Sequence, residues 1–319
     1  MPKLLHAVLA SALLAAATFV PPAVLAEAPL QKVQAPGWYR FMVGDVEVTA
    51  LSDGTFKLPV AQLLKGDKIQ IGDALRRNFL GEQVETSDNA YLVNTGSKLV
   101  LIDTGAGVTM GPGTGGLQAN LRAAGYKPEQ VDEIYITHMH GDHIGGLLDG
   151  ANRAYPNATL RIDKRDVDYW GSEATMNAAP AEFRDFFKPA IAVVKAYGEA
   201  GKLKPFEGST ALVPGVRAIA NYGHTPGHTI YSIESKNEKL VLWGDLMHVA
   251  AVQFEDPSVT IQFDSDNAAA LKQRQDAFAD AAKNGYLVGA AHLAFPGVGR
   301  LRAAEKGYVF VPLNYSSLK

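Results

Sequence analysis

The sequence predicts an α/β chain folded as a four-layer αββα sandwich. Three observations carry that reading. β-rich apolar runs fall into two groups along the chain, and each group is followed by segments with helical spacing. One strand, 132–136, ends in a turn that packs three histidines and an aspartate into six residues, His138-Met139-His140-Gly141-Asp142-His143. Hydrophobic residues make up 47% of the 319, ample for a core between two sheets. In such a sandwich the side chains at strand ends gather at one edge, between the sheets.

The elements follow in order. Residues 27 to about 38, with Pro29, Pro36 and Gly37, read as an extended N-terminal arm to a single domain that continues to Lys319. Phe41-Met42-Val43 and Val46–Leu51 form a hairpin across Gly44-Asp45. Residues 59–87 read as a loop or short helices. Ala90–Val93 and Leu99–Ile102 pair across Gly96-Ser97. Leu117, Leu121 and Ala124 share one helical face, and Gly125 ends that helix. Residues 181–200 are helical in pattern, but Pro189 lacks a backbone donor and crowds the preceding turn, which predicts a kink or two short helices. Strands recur at 216–221, 229–234, 239–243 and 286–290. A helix over 267–283 puts Leu271, Phe278 and Ala282 on one face.

The His-rich turn carries the chemistry. Imidazole and carboxylate together suit zinc and similar borderline ions. Four ligands from one turn are more than a single tetrahedral ion takes while keeping a water, so two metals side by side is the more natural reading. Further donors follow: His224 and His228 in Gly223-His224-Thr225-Pro226-Gly227-His228, Asp245 after the apolar run 239–244, then His248 and His292. Asp142 alone could be a helix cap, but capping explains none of its histidine neighbours. Gly111-Pro112-Gly113-Thr114-Gly115-Gly116 has the form of a dinucleotide loop. However, Ala106 to Met110 separate it from the strand end, and no acidic residue follows ~20 positions on in a βαβ frame. It reads instead as a flexible loop beside the metal site.

This ordered set resembles the metallo-β-lactamase superfamily. The early segment Asn94–Gly105 looks like its opening hairpin. The resemblance implies that His138, His140 and His224 bind one metal, that Asp142, His143 and His292 bind the other, and that Asp245 bridges them. It implies two divalent ions, zinc first, with manganese, cobalt or iron as alternatives, and a metal-bridging hydroxide as nucleophile. It leaves His228 a supporting role behind the ligands, and gives Asp103 the ordering of nearby loops.

Within the superfamily the chain is most similar to methyl parathion hydrolase and its aryl-lactone-hydrolysing relatives. Ala50–Thr55, Ala250–Phe254, Asp256–Thr260, Ala291–Gly297 and Phe310–Ser316 carry this likeness beyond the metal motifs. Trp170 and Phe186 match aromatic pocket positions. His248 stands where the organophosphate enzymes would carry Leu, Ile261 where they would carry Thr, Phe263 for Leu, Leu63 for Arg, and Met110 for an aromatic residue. The segment near Pro189 is one residue shorter. An imidazole and two bulky side chains narrow the pocket, which suits a flat ring with a planar carbonyl better than a phosphotriester. The expected activity is aryl-lactone or arylester hydrolysis with phosphotriester hydrolysis as a side reaction. A true organophosphate hydrolase and an acyl-homoserine-lactone lactonase are the alternatives; a non-catalytic metal-binding protein fits the full ligand set poorly.

Composition bounds the rest. Lys3, the apolar run Leu4–Val20 and Val24-Leu25-Ala26 read as a secretory leader over residues 1–26, implying a periplasmic or secreted protein. Export from a bacterial host should therefore leave an N-terminus at Glu27, give or take a residue, by mass spectrometry; an intact Met1 on a membrane-bound product would make the segment an anchor. The chain has no cysteine, so its metals must be held by nitrogen and oxygen. Formal net charge is -3, with no basic run, which argues against nucleic acid as a partner. The expected partner is a small ester, lactone or phosphotriester, with no membrane contact in the mature form and a homodimer left open.

Overall fold

The computed structural model describes residues 28–318, so the leader read over 1–26 lies outside the described residues. Residues 28–35 are exposed and carry neither helix nor strand. The compact unit begins at Pro36.

Two sheets form its middle. The first has six strands, ordered Trp38–Val43, Val46–Leu58, Val84–Asn94, Leu99–Ile102, Glu133–Tyr135 and Thr159–Arg161. Its first three pairings are antiparallel and its last two parallel. The second has seven, ordered Thr210–Val213, Val216–Ala220, Thr229–Ser235, Glu238–Leu242, Leu287–Gly289, Val298–Ala303 and Tyr308–Pro312. It is antiparallel except where Glu238–Leu242 pairs with Leu287–Gly289.

Sequence pattern explains the layers. In Trp38–Val43, alternate residues Tyr39, Phe41 and Val43 are buried, the period-2 signature of a strand with one covered face. Leu99–Ile102 is buried at every position, because it is covered on both sides. Between the sheets lie Tyr39, Val48, Tyr91 and Ile102 from the first, and Ala218, Tyr231 and Leu242 from the second. The outer face of the first sheet, with Leu92, Leu101 and Ile134, packs on Leu117 and Leu121 of helix Leu117–Ala123 and on Phe187, Val193 and Tyr197 of helix Arg184–Glu199. The outer face of the second, with Val241 and Val288, packs on Phe278 and Ala281 of helix Asn267–Asn284. Each large side chain buried this way contributes about 1.5–3 kcal/mol. The order is helix, sheet, sheet, helix: the αββα sandwich.

Three local expectations need correcting. Of the kink or two short helices expected at Pro189, the second does not occur: Arg184–Glu199 is a single helix with Pro189 inside it. The proline sits in the second turn, where it forfeits a single hydrogen bond, and the packed face from Phe187 to Tyr197 holds the helix together. The buried face of Asn267–Asn284 is centred on Ala270, Arg274, Phe278 and Ala281, one position away from the predicted Leu271 and Ala282. Arg274 can be buried because its Nε donates to the Leu246 carbonyl at 2.8 Å and its Nη1 to the Pro257 and Val259 carbonyls. Finally, the stretch 59–87 holds two short helices, Val60–Leu63 and Lys68–Arg77, but its end belongs to the strand that starts at Val84.

Candidate metal centre

All seven residues read as ligands leave from the C-terminal ends of strands. His138, His140, Asp142 and His143 follow Glu133–Tyr135, His224 follows Val216–Ala220, Asp245 follows Glu238–Leu242, and His292 follows Leu287–Gly289. The two sheets are tied at this edge. Thr229 N donates to the Thr137 carbonyl at 2.9 Å, and the Tyr231 hydroxyl donates to the Ile136 carbonyl at 2.7 Å. Gly244 has φ +53, and a Cβ there would stand 2.8 Å from Thr137, so only glycine lets Asp245 come this close to the His-rich turn.

The seven fall into two groups that share Asp245: His138, His140, His224 and Asp245, then Asp142, His143, His292 and Asp245. The carboxylate divides its oxygens between them. In the first group His140 Nδ1 lies 2.9 Å from His138 Nε2 and 3.1 Å from His224 Nε2, while Asp245 Oδ2 is 3.6 and 3.4 Å from those two Nε2 atoms. In the second, Asp245 Oδ1 is 3.1 Å from both His143 Nε2 and His292 Nε2, and Asp142 Oδ2 is 3.8 and 3.5 Å from the same pair.

These side chains fit a pair of ions. Ligands ~2.0–2.2 Å from one tetrahedral ion stand about 3.3–3.6 Å from one another, close to the spacings here. His143 Nε2 and Asp245 Oδ1 are buried without a hydrogen-bond partner, a costly arrangement that a shared cation would relieve. The opposite ring nitrogens are spoken for. His143 Nδ1 meets Asp103 at 2.8 Å, His224 Nδ1 meets Asp264 at 2.8 Å, His292 Nδ1 donates to the Ser87 carbonyl at 2.9 Å, and His138 Nδ1 meets the Thr137 hydroxyl at 3.1 Å. Each ring is thereby aimed with its free nitrogen inward.

The electrostatics agree. Burial pushes His138 and His140 well below the ordinary imidazole range, which keeps them neutral and able to ligate. Burial would push Asp245 up, but the imidazoles of His143, His292, His248 and His138 outweigh it and hold the carboxylate well below its usual range. Burial also opposes charge on His224 and His292, yet nearby carboxylates, Asp245 foremost, push both up to about 9. The carboxylates thus draw positive charge into this edge, and divalent ions would supply it.

Supporting residues sit behind the ligands. Burial pushes His228 down to about 3, so it is neutral; its Nδ1 donates to the Asn221 carbonyl at 3.1 Å while its Nε2 accepts from the Asp245 backbone N–H at 3.2 Å. Asp103 accepts from Thr137 N at 2.8 Å and from the Thr137 hydroxyl at 2.7 Å, besides holding His143. Sequence reasoning missed Asp264, Asp166 and Asp53. The carboxylate of Asp53 accepts from Ala106 N, Gly107 N, Gly115 N and Leu117 N at 2.9–3.2 Å, and so fixes both ends of the loop that carries the glycine-rich segment.

The residues expected to line a substrate pocket are placed unequally. His248 is buried, with Nε2 3.0 Å from Asp245 Oδ2, and neither ring nitrogen makes an aligned hydrogen bond. Trp170 packs edge-on to His140 with centroids 5.1 Å apart, and Phe263 lies 6.3 Å from His248. Met110, Phe186 and Phe263 are exposed. Ile261 is fully buried in an apolar cluster with Leu64 and Val249, and Leu63 packs against that cluster.

Where the two sheets of the αββα sandwich meet, two ligand groups that share Asp245 could hold a pair of metal ions. The chain belongs to the metallo-beta-lactamase superfamily, whose sequence model matches residues 85–310. It is similar to the solved hydrolase AbOPH, described as in the beta lactamase superfamily, at 34% identity over 89% of this chain and 100% of that one, with a TM-score of 0.84. It is also similar to AidC, a dizinc quorum-quenching lactonase solved with a product, at 27% identity over 88% and 99% of the two chains and a TM-score of 0.81. Among curated proteins, the N-acyl homoserine lactonase of Bacillus cereus is 31% identical over 46% of this chain and 51% of its own. The chain spans about half the length of the curated relatives it matches.

Proposed function

We propose that this protein is a dinuclear-metal lactonase, with flat aryl lactones and arylesters as preferred substrates and phosphotriesters as a minor side reaction. The observation that carries the reading is the division of the Asp245 oxygens between two ligand groups, Oδ2 to the first and Oδ1 to the second. Two divalent ions held there would supply Lewis acidity, polarising a carbonyl and making a nucleophile from water at neutral pH. The protein's own part is to hold and aim. Asp103, Asp264, the Ser87 carbonyl and the Thr137 hydroxyl fix the imidazole orientations, and His228 fixes the Asp245 backbone. His140 and Asp142 are the more open of the ligands, so substrate approaches over them. Trp170 beside His140 offers one apolar wall, and His248 with Phe263 narrows the opposite side of the first group.

The likeness to methyl parathion hydrolase and its aryl-lactone-hydrolysing relatives supports the aryl preference. A second reading, acyl-homoserine lactones as substrate, is favoured by the names of the AidC and Bacillus cereus relatives. Both share the ring ester, and one panel separates them. Purified protein is assayed on dihydrocoumarin, N-hexanoyl homoserine lactone, methyl parathion and a cephalosporin. The expected order puts dihydrocoumarin first, with methyl parathion weak and the cephalosporin inert. Faster turnover of the homoserine lactone selects the second reading, and a lead for methyl parathion rejects both.

A further inference from the structure

Asp166 is a fully buried carboxylate with no part in the ligand groups, and it lies in the first turn of helix Lys164–Trp170. It does not cap that helix. Asp163 is the capping residue and accepts from Arg165 N at 2.8 Å. All three hydrogen bonds that Asp166 accepts come from other parts of the chain. Met139 N donates to Oδ2 at 2.9 Å, the Thr225 hydroxyl to Oδ2 at 2.9 Å, and Gly227 N to Oδ1 at 2.6 Å. Gly227 makes the last approach feasible, since a Cβ there would stand 2.6 Å from Asp166 N.

The donors are placed tellingly. Met139 lies between His138 and His140, and Thr225 follows His224. The two segments come from different sheets, separated by more than eighty residues of sequence, and together they supply every imidazole of the first ligand group. None of its donors adjoins Asp142 or His292, and Gly227 adjoins His228, which accepts from the backbone N–H of Asp245, the residue common to both groups. Its hold on the two groups is therefore unequal.

We propose that Asp166 is a positioning residue for the first ion alone: it clamps the His138–His140 turn to the His224 loop and sets the spacing of those three imidazoles. This rests on the metal-centre reading above. A charged acceptor binding three donors in a dry interior is strong and geometrically strict. Asparagine can accept only through its one oxygen, and its amide hydrogens would face the remaining donors.

The test uses the purified protein, with Asp166→Asn and Thr225→Val beside wild type. Each is titrated with zinc against a competing chromophoric chelator, and zinc-limited crystals are measured by anomalous scattering to assign each ion to a group. In Asp166→Asn, affinity should fall about 10–100-fold for the ion at His138, His140 and His224, the range for loss of a supporting partner, and hold for the ion at Asp142, His143 and His292. Thr225→Val removes one of the three bonds, keeps the carboxylate, and should weaken the same ion by less; it decides the matter if Asp166→Asn does not fold. A general structural role would lower both affinities together. Equal loss of both ions, or loss of neither, overturns the assignment while leaving the metal centre standing. A wild type that binds no zinc pair overturns both.

Discussion

Asp245→Asn should abolish most of the hydrolytic activity and lower metal content in the same preparation. The side chain is the one member common to both ligand groups, and each of its oxygens serves a different one. An amide keeps the shape but loses the negative charge and turns an NH2 toward one of the groups. Loss of a merely supporting partner costs ~10–100-fold in metal affinity or activity, and the shared ligand should cost more than the top of that range. Metal analysis and kcat/KM on one sample check it. Asparagine with wild-type metal content and rate would remove Asp245 from the centre.

The second large effect concerns selectivity. His248→Leu should raise phosphotriester turnover relative to lactone turnover by roughly 10–200-fold, the span of one altered pocket contact. His248 stands 3.0 Å from Asp245 and between the two ligand groups, with ring centroids 5.0 Å from His224 and 5.4 Å from His292, so a shorter apolar side chain opens the space beside both. Phe263→Leu should act in the same direction, being exposed and close to His248. Ile261→Thr works less directly. Ile261 is buried among Leu64, Val249 and Val252, so threonine puts a hydroxyl into an apolar cluster and acts by loosening the packing beneath His248. These neighbours need not combine additively. The comparison to make is kcat/KM for dihydrocoumarin against methyl parathion in each variant. If His248→Leu depresses both together, the imidazole takes part in the reaction and is not a wall of the pocket.

Much of the fold could be read from the sequence because its strands alternate or run apolar according to what covers them. Leu99–Ile102 and Glu238–Leu242 are clear for that reason. The helix Asn267–Asn284 was harder to orient. Alanine dominates it, so its apolar stripe is weak, and an arginine occupies the centre of the buried face. The two candidate ligand groups could be read because few side chains can hold a borderline cation, and histidines crowded into short turns have little other use. The groups behind the ligands are not. Asp53, Asp166 and Asp264 are single aspartates in a strand, a helix start and a turn, where sequence alone reads a cap or a solvated charge. Each is buried and accepts hydrogen bonds from segments far along the chain, and only the tertiary fold brings those donors to it.

The most direct test of a two-ion lactonase is a reconstitution titration. Protein stripped with a strong chelator should be inactive on dihydrocoumarin, and zinc added stepwise should restore activity to a plateau at about two ions per chain, as expected for a two-metal site. Full activity in the stripped protein, or a plateau reached at one ion with the second bound silently, would contradict the account.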